Sequence, residues 1–238
     1  MFDKKALISG LFGALFAAQA TAIPVLYDNT LTTAYQITNN TTFMVDFNAT
    51  NSLSVISGGV ADSAILNTFD GVWVDATYGS AGEMTGTEEA NLKSFISAGN
   101  KAVFIADNSA WSDRYDSIER ILDASINRSC GGTVGTSSSS HALTIGISTF
   151  GGSTCNSTIN QTANVDLLFT NAQAGLFSIG LGEAVLVTSV DFLDSDRDFY
   201  KNVFTWMNDP IAVPGPSTLV LFSLGIIGLG FSRKRKAV

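Results

Sequence analysis

The chain of 238 residues has little cysteine, histidine or positive charge. Cys130 and Cys155 are the only cysteines and do not form a Cys-x-x-Cys pair, and His141 is the only histidine. This composition does not favour a zinc site. Lysine and arginine together number 13 against 21 acidic residues, which argues against nucleic-acid binding. No apolar run reaches the roughly 20 residues that comfortably span a bilayer.

The N-terminus has the pattern of a secretory signal peptide. Lys4 and Lys5 precede an apolar run over residues 6–18, and two small-x-small cleavage sites end at Ala20 and Ala22. This order predicts a signal peptide over residues 1–22, handled by the Sec translocon and signal peptidase. The alternative is a buried N-terminal helix.

The C-terminus holds a second short apolar segment. Residues 217–231 are apolar apart from three hydroxyl side chains, and four consecutive basic residues follow at 233–236. We predict a transmembrane helix over 217–232 in the inner membrane, with residues 233–238 as a cytoplasmic tail and everything before Pro214 outside. A soluble core helix is the alternative, which the basic cluster disfavours.

The exported middle of the chain is strongly acidic. Without the two ends it keeps seven basic and twenty acidic residues, a net charge of −13. This charge suits solubility outside a cell and divalent-cation association. The two cysteines lie in this part, within a Gly/Ser/Thr-rich stretch at 129–162, and an oxidising compartment favours a disulfide between them. Two free thiols or a metal pair are the weaker alternatives.

Strand and helix patterns alternate along the middle. A helix from Thr85 or Thr87 to a stop at Gly99 leads into a continuous apolar strand, which is half of an α/β crossover. Further helices are predicted over 61–69, after a cap at Ser112 or Asp113, and over 197–207. Strands are predicted at residues 25–27, 53–56, 72–74, 102–106, 165–169, 175–179 and 184–188.

These elements predict an α/β fold with a doubly wound, mostly parallel sheet over residues 23–209. The stretch 129–162 is predicted to be a β-rich insertion, a hairpin or long loop, and the alternation over 143–147 indicates a strand within it. With the two terminal helices and a linker at 210–216, this gives the predicted domain organisation.

The C-terminal tail resembles the PEP-CTERM protein-sorting signal. A proline motif, a short apolar helix and a basic cluster follow one another at the end of the chain. The resemblance implies export, transient anchoring in the membrane and cleavage near the proline motif by an exosortase; Gly215 stands where the family usually has glutamate. The residues concerned are Val213, Pro214, Gly215, Pro216 and Ser217, then Arg233, Lys234, Arg235 and Lys236.

The middle resembles the class I glutamine amidotransferase-like superfamily, in its non-catalytic branch. The resemblance rests on the segments 70–74, 87–99, 103–107 and 182–193, and it implies a flavodoxin-like α/β domain. An active member needs a cysteine nucleophile at a strand end and a histidine base. Here the strand is followed by Asp107, Asn108 and Ser109, while His141 lies in a loop-like region, so neither thiol nor serine hydrolysis is favoured.

An acidic run offers the best candidate ion site. Asp194, Asp196 and Asp198 alternate as at the start of an EF-hand loop, with Asp191 just before them, but the glycine and glutamate that complete such a loop are missing. Capping of the following helix by Asp194 or Asp196 explains the placement without an ion and is favoured.

The sequence therefore predicts an exported surface or extracellular-matrix protein that is not an enzyme and needs no cofactor. Its expected partners are the export machinery, an exosortase, the inner membrane and extracellular polysaccharide, with no nucleic acid. Two alternatives stay open. One is a degenerate amidotransferase-like hydrolase working near Asp107 and Asn108, and the other is a carbohydrate- or cation-binding module that uses the acidic face.

Overall fold

A computed structural model describes the middle of the chain. The described residues are 22–31, 37–75, 82–107, 114–129, 133–151, 156–190 and 192–209. Nearly all of the predicted signal peptide and the whole C-terminal tail lie outside these residues, as do Cys130 and Cys155. Within the described ranges, no helix is long and apolar enough to cross a bilayer.

A seven-stranded mixed sheet forms the centre of the fold. Its order is β2-β1-β3-β4-β11-β10-β9, in which the first five strands are parallel and the last two are antiparallel. The strands found in the described residues are β1 (Ile23–Tyr27), β2 (Asn51–Val55), β3 (Gly71–Asp75), β4 (Lys101–Ile105), β5 (Ile126–Asn127), β6 (Gly135–Thr136), β7 (Thr149–Phe150), β8 (Thr158–Ile159), β9 (Val165–Leu167), β10 (Ala174–Ile179) and β11 (Gly182–Val187).

Helices cover both faces of the sheet, as the doubly wound prediction requires. One apolar core lies between the sheet and α2, α3 and α4, and the other lies between the sheet and α1, α5 and α6. The α-helices among the described residues are α1 (Thr41–Asn48), α2 (Ser63–Leu66), α3 (Gly86–Ser97), α4 (Tyr115–Leu122), α5 (Phe192–Ser195) and α6 (Arg197–Asn208).

Successive strand residues supply the two cores alternately. In β3, Val72 and Val74 belong to the first core while Trp73 belongs to the second. All five residues of β3 and all five of β4 are buried, which is typical of strands that helices cover on both sides. The prediction of a mostly parallel α/β sheet is therefore confirmed.

Helix α3 begins where the sequence predicts. Thr85 is the N-cap, and its hydroxyl accepts a hydrogen bond from the Glu88 backbone N–H while the Glu88 carboxylate accepts one from the Thr85 N–H. This reciprocal capping box satisfies donors that the helix itself leaves free. Gly99 follows the helix with a φ of 109°, a conformation that favours glycine.

The predicted strand over 143–147 is wrong. Residues Ala142–Thr144 form a 3₁₀ helix, because the Thr144 hydroxyl donates to the Ser139 and His141 carbonyls and closes the chain into a turn. The remaining insertion consists of two small antiparallel ladders, β5 with β8 and, between them in sequence, β6 with β7. Within 129–162 the described residues therefore hold three two-residue strands and one 3₁₀ helix.

Two helix starts differ from the sequence predictions. The predicted caps of α4, Ser112 and Asp113, lie outside the described residues, and Arg114 holds the N-cap position without a side-chain capping bond. Helix α1 was not predicted at all. Its N-cap is Asn40, whose side chain accepts from the Phe43 N–H, and it buries Phe43 and Phe47.

Candidate functional site

Polar residues follow four of the five parallel strands at one edge of the sheet. We call this the carboxyl edge and define it by Asp28, Asp75, Asp107 and Thr188, which end or follow β1, β3, β4 and β11. All four are buried. Ligands of open α/β sheets bind outside the carboxyl ends of the strands, where the strand order reverses, which in this sheet is beside β1 and β3.

Asp28 connects two turns at that reversal point. Its Oδ1 accepts hydrogen bonds from the backbone N–H groups of Thr30 at 3.0 Å and Gly58 at 2.9 Å, and its Oδ2 accepts from the Val60 N–H at 2.9 Å. The Thr30 hydroxyl donates a fourth bond to Oδ1 at 2.6 Å. The carboxylate therefore holds the turns after β1 and β2 together, and both of its oxygens already accept hydrogen bonds from these turns.

Asp75 is as deeply buried as Asp28, with 1% of each residue exposed. Its Oδ1 accepts from Trp73 Nε1 at 2.7 Å, and its Oδ2 accepts from the Tyr27 hydroxyl at 3.0 Å and the Ile37 N–H at 3.1 Å. Burial raises the pKa of Asp75 to about 6, while the hydrogen bonds from Ile37, Trp73 and Tyr27 act in the opposite direction. Like Asp28, Asp75 fastens a loop to the sheet.

A third group of polar contacts links the insertion to β4 and β11. The Ser157 hydroxyl donates to the Asp107 carbonyl at 2.8 Å, and the Thr188 hydroxyl donates to the Ser157 carbonyl at 2.6 Å. Thr188 also donates its backbone N–H to the Gln173 carbonyl at 2.9 Å. The end of the insertion around Ser157 is thus fixed across the ends of two central strands.

Buried polar atoms without a hydrogen bond lie in the same region. Neither amide atom of Asn156 has a partner, although the residue is 1 % exposed. The Tyr115 hydroxyl is close to Ser157 but does not reach hydrogen-bond geometry, and burial raises its pKa above the ordinary value. Such groups are rare in folded proteins because each one loses its hydration.

The strand end where the resemblance would place a nucleophile carries Asp107. This residue is 8 % exposed and is the second one after β4, while Asn108 and Ser109 lie outside the described residues. His141 lies in the insertion, half-buried, and its Nδ1 accepts a hydrogen bond from the Leu143 N–H at 3.2 Å. The histidine therefore begins a 3₁₀ turn.

The acidic run lies around the junction of α5 and α6. Asp194 Oδ1 accepts from Asn40 Nδ2 at 2.9 Å, and Asp196 holds the N-cap position of α6 without a side-chain capping bond. The favoured interpretation as a side-chain cap is therefore wrong for α6. Asp191 lies outside the described residues, and among those that are described no three His, Cys, Asp or Glu side chains form a group that could hold a metal ion.

A polar crevice of about 300 Å³ opens beside this junction. The start of α6 forms one wall and the loop after the 3₁₀ helix forms the other. The residues that line it include Ser148, Thr149, Ser195, Asp196, Arg197 and Asp198. Because α6 begins shortly after the end of β11, the crevice lies on the side of the carboxyl edge.

An ion pair that the sequence did not reveal holds Arg197 in the crevice wall. Arg197 Nε and Nη2 donate to the two Asp46 oxygens at 2.8 and 2.9 Å, and the Tyr200 hydroxyl donates to Oδ2 at 3.0 Å. The hydrogen bonds from Arg197 lower the pKa of Asp46 to about 2. The partners are 151 residues apart in the chain, so no local pattern joins them.

Comparison with known proteins finds similarity at the level of structure. No family model and no curated protein matches the chain. The N-terminal domain of IFT52 (mmIFT52) aligns with a TM-score of 0.61 at 10% identity over 78% of this chain and 97% of that one. A cytoplasmic protein of Salmonella typhimurium LT2, STM1381, aligns with a TM-score of 0.59 at 9% identity over 79% of this chain and all (100%) of that one. The likeness is one of fold.

The same fold also occurs inside a larger enzyme. A cold-adapted β-galactosidase from Rahnella sp. R3 aligns with a TM-score of 0.53 at 16% identity, over 81% of this chain but 32% of the enzyme. The chain thus corresponds to about a third of that protein. The three similar structures carry different descriptions, so the shared fold does not by itself assign an activity.

Proposed function

We propose that the chain is an exported surface or extracellular-matrix protein whose α/β domain is a non-enzymatic module. The observation that carries the export proposal is the order of sequence features at 214–236. Paired prolines are followed by a short apolar segment and then by four consecutive basic residues. Together with the N-terminal pattern over residues 1–22, it supports a PEP-CTERM-type signal that an exosortase processes. The acidic composition of the middle supports a location outside the cell.

The geometry of the carboxyl edge supports a non-enzymatic domain. The carboxylates of Asp28 and Asp75 accept four and three hydrogen bonds within the fold, which leaves them little capacity for proton transfer to a substrate. We infer further that the domain belongs to the non-catalytic branch of the class I glutamine amidotransferase-like superfamily. The parallel strands have the 2-1-3-4-5 order of flavodoxin-like sheets, which supports this assignment.

Intact-mass measurement of the protein from its native cells tests the sorting proposal. We expect a mature form that lacks both residues 1–22 and the segment after the proline motif. A matched variant, Pro214→Ala with Pro216→Ala, should keep the apolar segment because the processing site loses its rigid backbone. A native mature form that retains residues 231–238 would contradict the proposal.

The crevice favours a second candidate function, binding of carbohydrate or a cation. Its volume of about 300 Å³ is at the lower end for small-molecule sites, and hydroxyls, carboxylates and a fixed guanidinium line it. Calorimetry with millimolar calcium and a glycan array test the two ligand classes. Asp196→Asn with Asp198→Asn should abolish any binding at the crevice, whereas Asp166→Asn, an exposed control, should leave it unchanged.

A further inference from the structure

The last described helix ends at the edge of the sheet opposite the carboxyl edge. We call it the amino edge and define it by Ile23, Asn51, Gly71, Lys101 and Gly182, the first residues of the parallel strands. Asn208 Nδ2 donates to Asn51 Oδ1 at 3.0 Å. The buried Lys101 ammonium donates to the Trp206 and Asp209 carbonyls. The chain therefore leaves the domain at the amino edge, where Lys101 binds the carbonyl of Asp209, the last described residue.

The chain also enters the domain at this edge. Ile23 begins β1, and in the parallel register it lies opposite Asn51, the residue that Asn208 contacts. Neighbouring strands are about 4.8 Å apart. The entry and exit points of the domain are thus separated by little more than one strand.

The linker to the predicted membrane segment is short. Seven residues, 210–216, separate Asp209 from that segment, and an extended chain of this length reaches at most about 25 Å. Pro214 and Pro216 restrict its backbone further. Exposed side chains at the amino edge include Asp70, Asp209 and Leu181, which lies in the turn between β10 and β11.

We propose that, while the tail is anchored, the amino edge of the sheet faces the phospholipid headgroups and the carboxyl edge faces away from the membrane. This inference rests on the proposed sorting function. It follows because the chain enters and leaves the domain at the amino edge and because the linker to the membrane segment is short. The crevice beside α6 then opens away from the bilayer, where an extracellular partner can reach it.

Energy transfer to the membrane surface tests this orientation. The exported form, residues 23–238, is reconstituted into vesicles of phosphatidylcholine and phosphatidylglycerol that carry an acceptor dye on the headgroups. A donor dye on an unnatural amino acid replaces either Asn67, an exposed turn residue just before β3, or Ser57, an exposed turn residue just after β2. A five-residue strand separates the two positions by about 16 Å, so we expect at least about twofold more transfer from position 67.

Three results of this experiment decide between the proposals. More transfer from position 67 supports the orientation. Equal transfer, or more from position 57, in protein that floats with the vesicles overturns the orientation and leaves the sorting proposal intact. Protein that fails to float with the vesicles contradicts the anchoring itself, and the orientation falls with it. A sample that ends at residue 209 serves as the control and should show no transfer.

Discussion

At the scale of single residues, several charged side chains bind other parts of the same domain. Asp28 and Asp75 join loops to the sheet, Asp46 pairs with Arg197, and Lys101 binds the end of α6. Buried charges that accept or donate several hydrogen bonds are retained because removing one partner leaves the other unsatisfied. Their loss should therefore affect stability.

Asp75 gives the domain a specific dependence on pH. Its folded-state pKa of about 6 exceeds the ordinary aspartate value of about 3.9, so the fold favours the protonated form. Its contribution to the free energy of unfolding is full below about pH 4 and declines by about 1.4 kcal/mol per pH unit toward pH 6. For Asp75→Asn, the free energy of unfolding in urea, measured from pH 4 to 7, should not show this decline. Parallel pH profiles for the two proteins would contradict the assignment.

Lys101 should stabilise the end of α6. Lys101→Met keeps the length of the apolar stem but leaves the Trp206 and Asp209 carbonyls without their donor, and it removes the cation from the Trp206 ring, whose centroid lies 4.9 Å from Nζ. We expect a loss of about 2 kcal/mol in urea unfolding. Lys93→Met is the control, because Lys93 is exposed and should cost less than about 0.5 kcal/mol. Equal losses would show that Lys101 has no special role.

The sequence revealed these residues unevenly. Asp28 and Asp107 could be placed at strand ends because an apolar run stops at each of them. The role of Asp75 could not be predicted, since its donors Tyr27 and Ile37 lie 48 and 38 residues away. The burial of the unpartnered Asn156 amide could not be predicted either, because it results from tertiary packing and the neighbouring sequence is rich in Ser, Thr and Asn.

At the scale of elements, the spacing of apolar residues and the helix-capping residues explain which helices and strands could be predicted. Helix α3 has a capping pattern, an apolar face and a glycine stop, and the central strands are continuous apolar runs, so both were found. Helix α1 carries β-branched residues and two phenylalanines, which have low helix propensity. It forms because tertiary packing buries Phe43 and Phe47, and this contribution exceeds the local preference.

Phe43 should be the main anchor of α1. Its ring lies 5.2 Å from that of Trp73, 5.1 Å from Tyr200 and 4.9 Å from Phe204, measured between centroids. Phe43→Ala should lower the free energy of unfolding by about 3–5 kcal/mol through lost burial and a new cavity. Val45→Ala on the exposed face of the same helix, with Val45 67% exposed, is the matched control and should change little. A small effect at Phe43 would mean that α1 does not hold the second core together.

The disulfide between Cys130 and Cys155 stays a prediction from the two-cysteine count of an exported chain. Asn127 lies opposite Thr158, while Cys130 and Cys155 themselves lie outside the described residues. We expect oxidised protein to gain two hydrogens in mass on reduction, with both cysteines in one cross-linked peptide. The double variant Cys130→Ser, Cys155→Ser should lose about 3 kcal/mol of stability in the chain-entropy view. Free thiols in protein exported to an oxidising compartment would refute this pairing.

At the scale of the whole molecule, the described part is one α/β unit whose two cores share a single sheet. The described chain begins and ends at the amino edge, while the polar strand ends lie at the opposite edge. Under the proposed function, the membrane anchor would join the domain at the end of the sheet away from the crevice. A terminal anchor can therefore be removed without disturbing the residues that line the crevice.

The domain should consequently fold without its tail but not without the end of α6. A chain of residues 23–209 keeps the buried Trp206 and Met207 and both carbonyl acceptors of Lys101, so it should melt cooperatively at the same temperature as the chain that ends at residue 238. A chain that ends at Phe204 loses these side chains, and we expect a loss of at least about 4 kcal/mol or no folding. Circular dichroism melting of the three chains measures the difference. If residues 23–209 failed to fold while the longer chain folded, the domain boundary at 209 would be wrong and the tail would be part of the fold.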